Sequence, residues 1–154
     1  MIKEIDKSNL KQALDLVNEV FSEFVAADYS EQGIATFQDY LKNKYEELSA
    51  DLESGHKKAW GYYQNGEIIG VIATRDFSHI ALMFVDKQHH RKGVARQLFD
   101  YVLADLKGNA DATKITVNSS LYAMEVYEKL GFVKTDEQQE KNGILYIPMA
   151  YLIR

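Results

Sequence analysis

Residues 79–107, HIALMFVDKQHHRKGVARQLFDYVLADLK, constrain this chain more than any other stretch. Residues 80–85 form an apolar run bounded by polar residues, the pattern of a buried strand. Residues 86–92 are polar and basic, and beyond Gly93 the apolar residues Val94, Leu98, Tyr101, Val102 and Leu106 recur at helical spacing. A strand therefore feeds a short basic turn, and the turn opens a helix. The first amides of a helix lack intrahelical acceptors, and the helix dipole adds positive character there. Gly93 lets an anion approach the backbone, His90, Arg91 and Lys92 add donors and charge, and Val94 and Ala95 begin the helix. The stretch reads as a cradle for a phosphate or pyrophosphate; the plainer alternative is a solvated turn. A single glycine fits neither a Walker loop nor a dinucleotide fingerprint.

The other elements follow from periodicity. Met1 to Asp6 reads as a short strand, with Asp6 and Ser8 able to cap a helix that runs to about residue 26. Ser30 can cap a second helix reaching about residue 50, and residues 51–58 read as a polar loop. Residues 59–63 and 68–74 flank Asn65-Gly66, a hairpin signal, and a further turn at 76–78 leads into the strand at 79–86. After the 93–107 helix come a strand at 114–118, a helix at 122–130 closed by Gly131, and strands at 132–137 and 144–152 around Asn142-Gly143. The order is β-α-α-β-β-β-α-β-α-β-β, an α/β fold with a mixed sheet. The strand at 114–118 is expected parallel to the one at 79–86, through a right-handed crossover.

Length and composition set limits. The 154 residues suit a single domain, 1–154, and a 46% hydrophobic fraction is globular. The formal net charge of −5 argues against nucleic-acid binding, which needs a basic face. The chain has no cysteine, hence no disulfide and no thiolate nucleophile. No secretory leader and no apolar run near the ~20 residues of a membrane span are seen, so a cytoplasmic, membrane-free protein is expected. His79, His89 and His90 lack the spacing of a metal site, and no metal is expected.

HHRKGVARQLF resembles the signature of the GNAT family of acetyl-CoA-dependent N-acetyltransferases, Gln/Arg-x-x-Gly-x-Gly/Ala after a strand. Gly93 and Ala95 match, and His90 stands where the family has Gln or Arg. VNSSLYAMEVYEKLGF, residues 117–132, resembles the second family motif, in which Asn, a helix bearing Tyr, and Leu-Gly-Phe follow in order. The resemblance implies two parallel strands that splay apart around pantetheine. It also implies backbone pairing by Phe84 and Val85, and cofactor contacts from His90, Arg91, Lys92, Gly93, Val94, Ala95 and Asn118. Tyr127 matches the motif tyrosine and is the implied general acid. It shares a helical face with Ala123, Val126 and Leu130. Many family members carry a glutamate in the central strand; here the strand reads IALMFV, so the base is open between ordered water, His79 and an acid of the first helical pair. Glu23, Asp28 and Tyr29, with Glu31, cluster at the first helix joint, where the family shapes its acceptor pocket, and with His79 they are the acceptor-side candidates.

The expected function is direct transfer of an acetyl group from acetyl-CoA, as co-substrate, to a primary amine on a small molecule or peptide. A non-catalytic acyl-CoA-binding or sensing domain of the same fold is the alternative. The C-terminal strand offers an edge through which a homodimer can form.

Overall fold

The computed structural model describes residues 1–43 and 45–153. Its elements are β1 (Ile2–Glu4), α1 (Leu10–Val20), α2 (Glu31–Asn43), α3 (Tyr45–Ser54), β2 (Lys57–Gln64), β3 (Glu67–Arg75), β4 (His79–Val85), α4 (Val94–Lys107), β5 (Lys114–Ser119), α5 (Met124–Leu130), β6 (Val133–Lys134), β7 (Gln139–Lys141) and β8 (Ile144–Leu152). Residue 44, inside the second helix expected from the sequence, lies outside the described residues. The strands form a mixed sheet ordered β1-β2-β3-β4-β5-β8-β6, with β7 also pairing β8. Among the described residues, only β4 and β5 run parallel.

The sheet is covered on both faces, which explains why β3 is apolar almost throughout. Ile68 and Val71 join the core cluster built with α1, Leu41 and Leu48; Ile69 and Ile72 join the cluster built with α4 and α5. Asn65-Gly66 and Asn142-Gly143 both have positive φ at both residues, as a two-residue type I′ hairpin requires. No helix among the described residues is long and apolar enough to cross a membrane.

Three local departures from the periodic pattern have physical causes. The first helix does not simply end near residue 26: it widens into a π-turn over Phe21–Val25 and tightens over Ala26–Asp28. Ser30 then caps α2, its Oγ accepting the Gly33 amide at 3.1 Å. The second helical motif starts later than residue 122, because Ser120 Oγ accepts the Ala123 amide at 3.1 Å and holds 121–123 in a turn. Of the strand expected at 132–137 only β6, residues 133 and 134, forms, and β7 follows at 139–141, beyond the expected range. Pro148, opposite the break, has no N–H to offer, and only its carbonyl is used, by the Thr135 amide at 2.9 Å.

Candidate active site

β4 and β5 are in register at two residue pairs only, His79 with Thr116 and Ile80 with Val117. Beyond them β4 continues to Val85 and β5 to Ser119 without pairing each other. The separation starts where the β3–β4 register slips, with Ala81 as the extra residue between Leu82 and Ile80. A bulge of this kind bends a strand and strengthens its twist. The result is a crevice at the carboxyl ends of two parallel strands, where open α/β sheets bind ligands.

Strand alternation decides which backbone groups face that crevice. The Asp86 amide bonds the Ile69 carbonyl of β3 at 2.8 Å. Asp86 and Phe84 therefore turn their peptide groups to β3, where Phe84 sits opposite Val71. Val85 turns its N–H and C=O the other way, toward the gap. Of the two strand residues singled out in the sequence, only Val85 offers backbone to a ligand; the Phe84 side chain instead lies against Phe37, 6.2 Å between ring centroids.

The turn after β4 runs into α4 with Arg91 at φ 63° and Gly93 at φ 82°. This left-handed geometry, which glycine alone adopts without cost, points successive amides to one side. No side chain caps α4. Among the described residues, no acceptor takes the amides from Arg91 through Arg96. A Cβ on Gly93 would meet nothing closer than Gln97 Nε2 at 4.0 Å, so the space in front of the turn is open. Arg91 and Lys92 are exposed and form no ion pair among the described residues. The turn is braced from behind: His89 Nδ1 meets Asp86 at 3.1 Å and Nε2 meets Gln64 at 2.9 Å.

His90 behaves differently from its basic neighbours. Its ring folds back, Nε2 donating to the Val85 carbonyl at 2.7 Å, while Tyr122 Oη stands 3.5 Å from Nδ1. Phe24, on the π-turn, packs against both rings, 5.1 Å from His90 and 5.2 Å from Tyr122. Periodicity marked Phe24 as apolar but gave no sign that the widened turn carries it to the mouth of the crevice.

Tyr127 is buried on α5 and packs edge-on against Phe132 at 5.3 Å. Its hydroxyl has no hydrogen-bond partner among the described residues, and burial pushes its pKa up. Asn118 is exposed at the end of β5 with its amide free of protein partners. Of the acceptor-side candidates, Glu23, Asp28, Tyr29 and Glu31 lie along the joint between α1 and α2. Glu23 is tied to Lys87 at 2.7 Å, and the partnership raises the lysine's pKa. Asp28 and Glu31 are exposed, and Tyr29 is half-buried against Phe21, its pKa raised first by burial and then by Asp28. His79 does not join them. It lies at the closed end of the β4–β5 pair, Nδ1 bonded to Thr116 Oγ1 at 2.8 Å. Six strand steps, roughly 20 Å, separate it from Val85. No group of three or more His, Asp or Glu side chains able to hold a metal occurs among the described residues.

The sequence pattern of the acetyltransferase (GNAT) domain family matches residues 25–153. A curated relative, the UPF0157 protein YqkA of Bacillus subtilis, is 31% identical over 119 residues. That alignment takes in 73% of this chain but 32% of that protein, so the chain spans about a third of the relative's length. The fold is similar to the PaiA N-acetyltransferase of Thermoplasma acidophilum in complex with coenzyme A, with a TM-score of 0.80 and 16% identity over 99% of this chain and 98% of that one. It is similar too to a GNAT-family acetyltransferase of Staphylococcus aureus, with a TM-score of 0.75 and 17% identity over 100% and 99% of the two chains. The aminoglycoside 6′-N-acetyltransferase of Enterococcus faecium gives a TM-score of 0.70 and 16% identity over 100% and 97%. A family match across residues 25–153, on a sheet whose parallel β4–β5 pair opens above an uncapped basic turn, places the chain in the acetyltransferase (GNAT) domain family.

Proposed function

We propose that the protein transfers an acetyl group from acetyl-CoA to a primary amine by direct attack. The observation that carries the reading is the opening between β4 and β5, which ends on the uncapped amides of the 91–96 turn. The residues present fit an acyl-CoA. The amides of Arg91 to Arg96, with the Arg91 and Lys92 charges, suit the pyrophosphate. The crevice edge of Val85 suits an amide of the pantetheine arm, added to β4 as an extra strand would be. Asn118, on the facing strand, has an amide free to bond the same arm.

Acetyl-CoA brings an activated thioester to this cleft. The chain's part is to hold thioester and amine in contact, which replaces a bimolecular encounter by a near-intramolecular one. The Val85 N–H polarises the thioester carbonyl. Tyr127, kept protonated by burial, donates a hydrogen bond to the departing sulfur. With His79 at the closed end of the pair and Glu23 in an ion pair, an ordered water is the best-placed acceptor for the amine proton.

A second reading has one observation in its favour. β4 presents no carboxylate anywhere along its length, which suits a domain that binds acyl-CoA without turning it over. Free-thiol release from acetyl-CoA across a panel of primary amines separates the two. Amine-dependent release supports the transferase; tight acetyl-CoA binding with no release under any amine supports the sensor.

A further inference from the structure

We propose that His90 is a gate on cofactor entry: its side chain occupies the Val85 carbonyl that the pantetheine arm takes, and it must swing out before an acyl-CoA can bind. The inference rests on the proposed use of the β4–β5 crevice by an acyl-CoA.

Once β5 has diverged, the carbonyl of half-buried Val85 has no strand partner and must find its donor in a side chain, a ligand or water. His90 supplies that donor from five residues away, at 2.7 Å. A carbonyl only accepts, so Nε2 carries the hydrogen. The imidazole N–H thus stands where an amide N–H of an added extended ligand would stand.

The ring is also walled in by other elements. Phe24 reaches it from the π-turn after α1, and Tyr122 reaches it from the turn after β5. The Glu23–Lys87 ion pair at 2.7 Å ties the same π-turn to the β4–α4 turn. Rings from both sides of the crevice therefore meet over the Val85 edge. A ligand lying along that edge has to displace the imidazole, even though the phosphate-facing amides stand open.

A binding-competent state that is only partly populated weakens apparent affinity by its population. Removing the ring removes that factor. His90→Ala should bind CoA about three- to tenfold more tightly than the wild type, the range expected when one neutral hydrogen bond no longer competes. The gain should appear mainly in the association rate. Calorimetry and stopped-flow mixing with CoA measure both. Weaker binding by His90→Ala would show instead that His90 contacts the phosphates, and would overturn the gate. Unchanged affinity and rate would overturn it too, by showing that the ring is not in the way. Absence of CoA binding in both proteins would remove the acyl-CoA reading and the gate with it.

The wild type offers an independent check. On saturation with CoA, the ring nitrogen signals of His90 should move as the Val85 bond is lost. Ring signals that stay fixed while backbone amides of the 91–96 turn shift would retain the cofactor site and overturn the gate.

Discussion

At the residue scale, the most exacting position is Tyr127. The Tyr127 ring is buried, but its hydroxyl has no protein partner and is not sealed off with the ring, so it is available to whatever ligand atom lies in front of it. Tyr127→Phe should leave the edge-on packing with Phe132 in place and lower turnover by on the order of 10²-fold, with CoA affinity nearly unchanged. Single-turnover kinetics measure that split; wild-type rates would leave Tyr127 as packing alone. His79 makes a different, non-catalytic prediction. Burial first, then Arg75, hold its pKa below the ordinary 6.5. The unfolded chain therefore binds the proton more readily than the folded one. Stability should be constant above about pH 6.5 and fall as pH drops below it toward the folded value. In urea titrations at pH 7.5 and 5.5, His79→Gln should show a smaller loss than the wild type; an equal loss would assign the acid sensitivity elsewhere.

At the scale of elements, the uncapped turn before α4 depends on how tightly α4 sits on β3. A Cβ at Gly70 would come within 2.9 Å of Val94 Cγ1 and 3.0 Å of Leu98 Cδ1. Val94 is the first residue of α4, so any shift that accommodates the methyl moves the amides of the turn. Gly70→Ala should cost about 1–3 kcal/mol of stability through overpacking and weaken CoA binding as well. Urea unfolding and calorimetry test the pair of effects; lost stability with unaltered CoA affinity would mean that α4 absorbs the methyl without moving its N-terminus. The π-turn after α1 is the second element-scale device. It carries Glu23 and Phe24 to Lys87, His90 and Tyr122, contacts that a regular helix would aim elsewhere.

At the scale of the whole molecule, α4 and the sheet share one packed cluster, so a ligand held by the turn and by Val85 engages the core of the fold. CoA at about a hundredfold excess over its dissociation constant should stabilise the native state by about 2.7 kcal/mol. For a chain of this length that corresponds to a rise in Tm of roughly 5–10 °C. A thermal scan with and without CoA reads it, and an unmoved Tm would count against the crevice as a CoA site. The sequence by itself determined the central order from β2 to α5, the two Asn-Gly hairpins and the strand–turn–helix around Gly93, while the structure has α2 and α3 where one helix was expected and β6, β7 and β8 where two strands were. Each of the features it determined is set by residues close together in the chain: alternation, helical spacing, Asn-Gly pairs, and a glycine where φ must be positive. Three- and four-residue spacing also placed Tyr127 and Leu130 on an inward face, but Val126, expected on the same face, is exposed. Only the tertiary structure decided where β4 leaves β5, since that depends on a bulge against β3, beside the Ala73–Leu82 pair, and on a register between residues 37 apart in sequence, Ile80 and Val117. The same holds for the direction of the Val85 peptide, the turn of His90 onto it and the place of His79 at the paired end of β4 against Thr116. These are settled by which strand edge faces which neighbour, and that is a property of the assembled sheet that no local pattern contains.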